Sequence, residues 1–327
     1  MVKLETIMAT SPYLEVMIRN VYWRLTPIVK WYNQKKKAKK SVQPKTTSRK
    51  FVEYLSSQGI GNGSLLILHS SFSALNAENE KPDQMVDQLL RLLGPEGTLA
   101  MPAIPYFKDA PDITQTMKGD VSGLILTYDP LTTPAWTGAL PNAMCQYSGS
   151  VRSLHPLNTM VAIGPLAVPM MESNISGEKP LPCGRNSSWY YCYLHNAEIV
   201  AIGADLAHSL TMIHVAEDMW DEKWVVPNWY RERKFQINTG AGQKNLTVRE
   251  RHPKWGAMHY AERTLSHDLI KLGITRKTEI DGVNVEIVNA RVLVDYLNSK
   301  NITAYPYFMV PRKHDRRMIS QAVSSRE

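Results

Sequence analysis

Apolar residues at Leu14, Met17, Ile18, Val21, Tyr22, Leu25, Ile28, Val29 and Tyr32 recur every three or four positions, set against Glu15, Arg19, Arg24 and Lys30. That spacing predicts an amphipathic helix over 14–32, kinked at Pro27 because proline has no N–H for the helix ladder. Farther on, the pattern changes to short uninterrupted apolar runs. Residues 64–69 (Ser-Leu-Leu-Ile-Leu-His) read as a strand buried on both faces and ending in a Ser70-Ser71 turn. Residues 85–93 return to helical spacing and stop at Gly94-Pro95, and 97–102 form the next strand. Strand, helix, strand in that order predicts a βαβ unit. Further strands are expected at 160–164, 198–203 and 283–287, and helices at 211–220, 260–272 and 290–297. The fold class is therefore α/β: a three-layer α/β/α arrangement around a central, mostly parallel or mixed sheet, with an N-terminal amphipathic helical arm. The expected division is 1–50 for the arm and its linker and 51–327 for one large domain.

Charge divides along the same boundary. The 327 residues carry a formal net charge of +8, but residues 1–50 hold 12 Lys/Arg against 2 Asp/Glu, leaving 26 against 28 in the remainder. The body is nearly neutral, so no basic groove for nucleic acid is expected. The basicity peaks at Lys35, Lys36, Lys37, Lys39 and Lys40. Two readings of the arm stay open: residues 13–40 lie on an anionic membrane surface, or the helix packs on the body or on the second subunit of a homodimer. The charges among the first thirty residues leave no signal peptide and no membrane span. Three cysteines, Cys145, Cys183 and Cys192, lack disulfide-scaffold spacing, which points to the reducing cytoplasm.

Three clusters carry chemistry. His69-Ser70-Ser71 stands at the carboxyl end of a strand, where ligands of open α/β sheets gather, although a Ser-Ser pair there is also a common helix cap. Arg152-Ser153-Leu154-His155-Pro156 places a cation, a hydroxyl and an imidazole in one tight segment. In His214-Val215-Ala216-Glu217 the i, i+3 spacing puts an imidazole and a carboxylate on one helix face, the minimum needed to deprotonate an amine near neutral pH. The plain alternatives are a buried, satisfied His155 and a surface His214–Glu217 pair. A third ligand at a recognisable spacing is missing, so no metal is expected.

The order of these clusters resembles one family. His-Ser-Ser-Phe-Ser-Ala-Leu at 69–75, Gly-Thr-Leu-Ala-Met-Pro at 97–102, Tyr-Asp-Pro at 128–130 with Thr133-Pro134, Gly138-Ala139-Leu140-Pro141, Arg152-Ser153-Leu154-His155-Pro156, and Thr211 with His214 and Glu217 are similar to successive motifs of the aminoglycoside 3-N-acetyltransferase family. The resemblance spans roughly 50–300. It implies acetyl-CoA as co-substrate and direct transfer to an amine without a covalent acyl-enzyme. It implies that Ser70, Ser71, Arg152 and Ser153 hold the phosphates and pantetheine arm, that backbone N–H groups near Thr133 to Gly138 steady the thioester oxyanion, and that His155 is the general base, oriented by Glu217 with His214 in the same network. The chain departs from the family pattern at Gly184-Arg185-Asn186-Ser187-Ser188 and in its basic arm. With mixed charge over 170–235, these departures favour a nucleotide-linked or lipid-linked amino sugar of surface polysaccharide biosynthesis as the small-molecule acceptor, acted on at the inner face of the membrane. Aminoglycoside inactivation, hence antibiotic resistance, is the alternative, and a non-catalytic, membrane-docked binding protein is a third. The aromatic stretches Trp189-Tyr190-Tyr191 and Trp220, Trp224, Trp229-Tyr230 suit either sugar stacking or the core, with the core favoured.

Overall fold

The computed structural model describes residues 4–35, 44–224, 226, 228–301 and 307–309; the lysines at 36–40 lie outside them. Ten strands form two sheets: β1 Leu65–Ser70, β2 Thr98–Pro102, β3 Ile125–Tyr128, β4 Val151–Arg152, β5 Met160–Ile163, β6 Glu198–Ile202, β7 Tyr230–Asn238, β8 Gln243–Arg251, β9 Thr275–Ile280 and β10 Val283–Asn289. The larger sheet has the order β4-β5-β2-β1-β6-β10-β9. Its centre, β2-β1-β6, is parallel, and the flanking pairs are antiparallel, so the sheet is mixed.

The uninterrupted apolar runs follow from burial on both faces. Leu65 and Ile67 of β1 enter one core with Ile199 and Ala201 of β6, and Leu66 and Leu68 enter a second with Val200 and Ile202. Helices cover each side: Ser48–Ser57 and Pro82–Leu93 on the second, Ser188–Leu194 and Ala290–Asn301 on the first. Each such fully buried Leu or Ile contributes about 2 kcal/mol of transfer free energy. The carboxyl ends of β1 and β6 align, Ser70 facing Ile202. There Gly203, with φ +60°, brings the chain against the β1 turn. A Cβ on it would lie 2.5 Å from Ala74 Cβ, so only glycine permits the approach.

The structure departs from the sequence pattern in several places, three of which bear on the site. Residues 211–220 form a 3-10 turn Thr211–His214 followed by one α-turn, Val215–Asp218, rather than a continuous helix. The expected helix at 260–272 is Glu262–Lys271, separated at Tyr260 from a second helix, Pro253–His259. A three-stranded sheet, β3-β7-β8, has its own small core of Leu126, Tyr128, Phe235, Ile237, Leu246 and Val248; no strand was expected in any of its three segments.

The N-terminal helix, Pro12–Lys35, continues across Pro27 and packs on the body in the reverse of the usual sense. Its polar side turns inward. Glu15, fully buried, accepts hydrogen bonds from the Arg263 and Thr264 backbone N–H groups and the Thr264 hydroxyl at 2.8–2.9 Å. This caps the first turn of Glu262–Lys271, where a negative charge also meets the positive end of the helix dipole. Arg19 donates to the Gly256 and Ala257 carbonyls and to Glu262, and Asn20 donates to the Met258 carbonyl. Tyr13, Met17, Val21, Tyr22 and Leu25 are left exposed.

Candidate active site

The short turns after β6 carry the imidazole–carboxylate pair that the sequence spacing singled out; a second such pair, His208 Nδ1 against Glu262 Oε1 at 2.6 Å, lines the same cavity as His214. His214 and Glu217 meet at 2.8 Å, Nδ1 against Oε2, with Glu217 fully buried. The carboxylate can only accept, so Nδ1 carries the proton and the lone pair is on Nε2. Burial, followed by the charge of Arg251, lowers the pKa of His214, while Glu217 raises it. The imidazole is therefore neutral near pH 7 and able to accept a proton. Arg251, at the end of β8, points Nη2 at His214 Nε2 from 3.3 Å and places Nη1 3.9 Å from Glu217 Oε1.

His214 and Arg251 line a cavity of about 430 Å³ whose walls are mainly apolar. Arg19 and Trp23 of the N-terminal helix line it too, with Tyr260 and Glu262. On the other side of the same turn, Asp218 lines a wider cleft of about 950 Å³ containing Glu178, Asp221, Glu222 and Glu232 among Lys179, Arg185, Lys223 and Arg249. Two of those cations are engaged, Lys179 by Glu232 and Arg249 by Asp221, both at 2.6 Å. Asp218 accepts from the Tyr230 hydroxyl and the Cys183 N–H. Burial, then the neighbouring Glu217 charge, raises its pKa to about 7. The Glu217-Asp218 turn thus stands between two cavities.

His155 is not joined to this pair. It is buried, with Nδ1 accepting from the Leu157 N–H at 3.2 Å and Nε2 directed at the Pro180 carbonyl at 3.3 Å. Both ring nitrogens are occupied by main chain, so the expected orientation of His155 by Glu217 does not occur, and burial lowers its pKa to about 4. Arg152 is likewise turned inward, donating to the carbonyls of Ala103, Pro130 and Thr133. Ser153 Oγ accepts the His155 N–H. These two residues shape the loop at 130–138 instead of presenting donors to a phosphate. Ser70, Ser71, Thr133 and Gly138 are partly exposed, the first two at the carboxyl end of β1. Gly138 has φ +127°, and Ser70 O lies 4.0 Å from where a Cβ would stand, so the 138 turn passes close to the end of β1.

Sequence reasoning missed Arg251, Arg19 and Trp23 as site residues. Arg251 ends a strand whose period-two signal, Leu246 and Val248, is short and crowded by charge. Trp23 sat in an apolar helical pattern that gave no hint of a cavity.

A profile of the family described as aminoglycoside 3-N-acetyltransferase matches residues 67–300. Aminoglycoside N(3)-acetyltransferase IX of Micromonospora chalcea is 30% identical over 260 residues, 72% of this chain and 86% of that enzyme. Aminoglycoside N(3)-acetyltransferase VIII of Streptomyces fradiae is 29% identical over 178 residues, 52% of this chain and 60% of that one. Among solved structures, aminoglycoside acetyltransferase AAC(3)-Xa superposes with a TM-score of 0.64 at 21% identity, covering 80% of this chain and 94% of its own. AAC-IIIb, solved as a binary complex with CoASH, gives 0.62 at 18%, covering 82% and 99%. The two structures share the fold. The profile and the sequence relatives carry more: the chain belongs to the aminoglycoside 3-N-acetyltransferase family and is an acyltransferase.

Proposed function

We propose that this protein transfers the acetyl group of acetyl-CoA to a primary amine of an aminoglycoside. The observation that carries the chemistry is the 2.8 Å contact between His214 and the buried Glu217, with Nε2 of His214 on a cavity wall. The relatives named above are aminoglycoside enzymes, which supports an aminoglycoside acceptor over the polysaccharide precursor that the basic arm and mixed charge had suggested.

The base is His214 in this reading, and His155 is a positioning residue. An acceptor ammonium is mostly protonated at neutral pH, so His214 Nε2 takes its proton and Glu217 stabilises the resulting imidazolium. The freed amine nitrogen bonds to the thioester carbonyl carbon, the C–S bond breaks, the proton on Nε2 goes to the departing CoA thiolate, and the second proton of the acylated nitrogen passes to water, leaving the amide and the free CoA thiol. The Thr133, Ala135 and Trp136 N–H groups already bond within the fold, which leaves those of Thr137 and Gly138 to meet the oxyanion. The CoA arm runs past the partly exposed Ser70, Ser71, Thr133 and Gly138 in this reading. Burial pushes the Cys183 and Cys192 thiols up, so neither supplies a thiolate for a covalent route.

A second acceptor class is favoured by one observation. The Arg251 guanidinium lines the cavity that holds the base, and it suits an amino sugar bearing a phosphate or carboxylate. Thiol release from acetyl-CoA against aminoglycosides and nucleotide-linked amino sugars decides between them. Turnover with aminoglycosides, lost in His214→Ala and largely retained in His155→Ala, is the expected result. Turnover with nucleotide-linked sugars alone supports the second class, and a His214→Ala enzyme as active as wild type sinks the mechanism.

A further inference from the structure

The N-terminal helix is inside out with respect to the body. Its charged and amide side chains Glu15, Arg19 and Asn20 contact the folded domain. The opposite side carries Tyr13, Met17, Val21, Tyr22 and Leu25, each 45–64% exposed, with the half-buried Leu14 and Ile18 beside them. At 100° per residue these seven side chains occupy about half of the helix circumference. A water-facing helix normally shows the reverse pattern, and an apolar face of this breadth on a soluble surface marks an interaction site.

The face carries no carboxylate. Its one charged member among residues 13–25 is the exposed Arg24, the described part of the helix runs to Lys35, and the sequence continues with Lys36, Lys37, Lys39 and Lys40. A second copy of the same face would offer these cations nothing to pair with. An anionic bilayer offers acyl chains to the stripe and headgroup charge to the basic end at once. We propose that this face docks the enzyme on a lipid surface rich in anionic headgroups, with the helix lying in the interface plane and the catalytic body held against the membrane by the inner side of the same helix. The helix has no stretch apolar enough to span a bilayer. The inference rests on the exposed side of the helix and is independent of which acceptor the enzyme uses.

The test is co-sedimentation of the full chain with vesicles of phosphatidylcholine containing phosphatidylglycerol, and with vesicles of phosphatidylcholine alone, across a range of salt. Binding to the anionic vesicles that weakens with salt is expected. Met17→Glu and Val21→Glu should each reduce it on the order of tenfold through the lost apolar burial. Lys36→Gln, Lys37→Gln, Lys39→Gln and Lys40→Gln should each cost about fivefold. Thermal stabilisation by acetyl-CoA, measured on every variant, shows that its body is folded. Equal partitioning onto both kinds of vesicle, no binding to either, or unaltered binding by the folded Met17→Glu/Val21→Glu variant would overturn the proposal. So would light scattering that shows a dimer dissolved by those same two substitutions, since the face would then be covered by a second copy.

Discussion

Replacing Glu217 by glutamine keeps the shape of the His214–Glu217 pair and removes its charge. In the resting enzyme the loss matters little, because the imidazole is neutral. In the transition state His214 becomes imidazolium, and the carboxylate 2.8 Å from Nδ1 is its counter-charge. At an effective dielectric constant of about 20 and a charge separation of about 4 Å, that attraction is about 4 kcal/mol. Arg251 already draws on the same carboxylate, with Nη1 3.9 Å from Oε1, and the glutamine amide oxygen still accepts from Nδ1. A net loss of about 2–3 kcal/mol remains, or roughly 30–150-fold in kcat. The sign of the pH effect separates this from mere damage. Glu217 raises the pKa of His214 and Arg251 lowers it, so the variant's imidazole titrates lower still. The rising limb of kcat against pH should move to lower pH while the plateau falls. Initial rates of thiol release at saturating acetyl-CoA over the pH range would show both changes. A plateau within about threefold of wild type, or a lowered plateau with an unmoved limb, would refute the role given to Glu217.

Two further outcomes are expected. Arg251→Met removes a cation from beside His214 Nε2, so the same limb should move to higher pH; an unmoved limb would show that Arg251 does not act on the base. Glu15→Ala strips a buried acceptor from two backbone N–H groups and a hydroxyl and should cost about 3 kcal/mol of stability by denaturant titration. A loss under about 0.5 kcal/mol would mean that the helix is not anchored through this carboxylate.

The parallel centre of the large sheet was legible because strands buried on both faces leave uninterrupted apolar runs, as in 64–69 and 198–203. The β7–β8 hairpin was not, because only one side of it meets a small core and its other positions are mostly charged or amide side chains. The same logic separates the site residues. His214 and Glu217 are three positions apart on one turn, so spacing alone announced the pair. The partners of His155 are main-chain groups of Leu157 and Pro180, and no side-chain pattern encodes those. The helical periodicity over 14–32 marked the N-terminal helix but not which side faces inward, since that depends on Thr264 and Glu262, some 250 residues away.

That separation bears on the order in which the molecule assembles. Glu15 and Arg19 are made before their partners at 256–264, which follow some 240 residues later. Until then the first helix has neither its buried ion pairs nor its seat, and closing so long a loop is paid for only when both ends exist. The large sheet needs β9 and β10 in the same late stretch. The cavity wall formed by Arg19 and Trp23 therefore closes only after the C-terminal third has folded. A ribosome-bound chain halted before Glu262 would carry His214 and Glu217 in full but lack the helix cap that holds one side of their chamber shut.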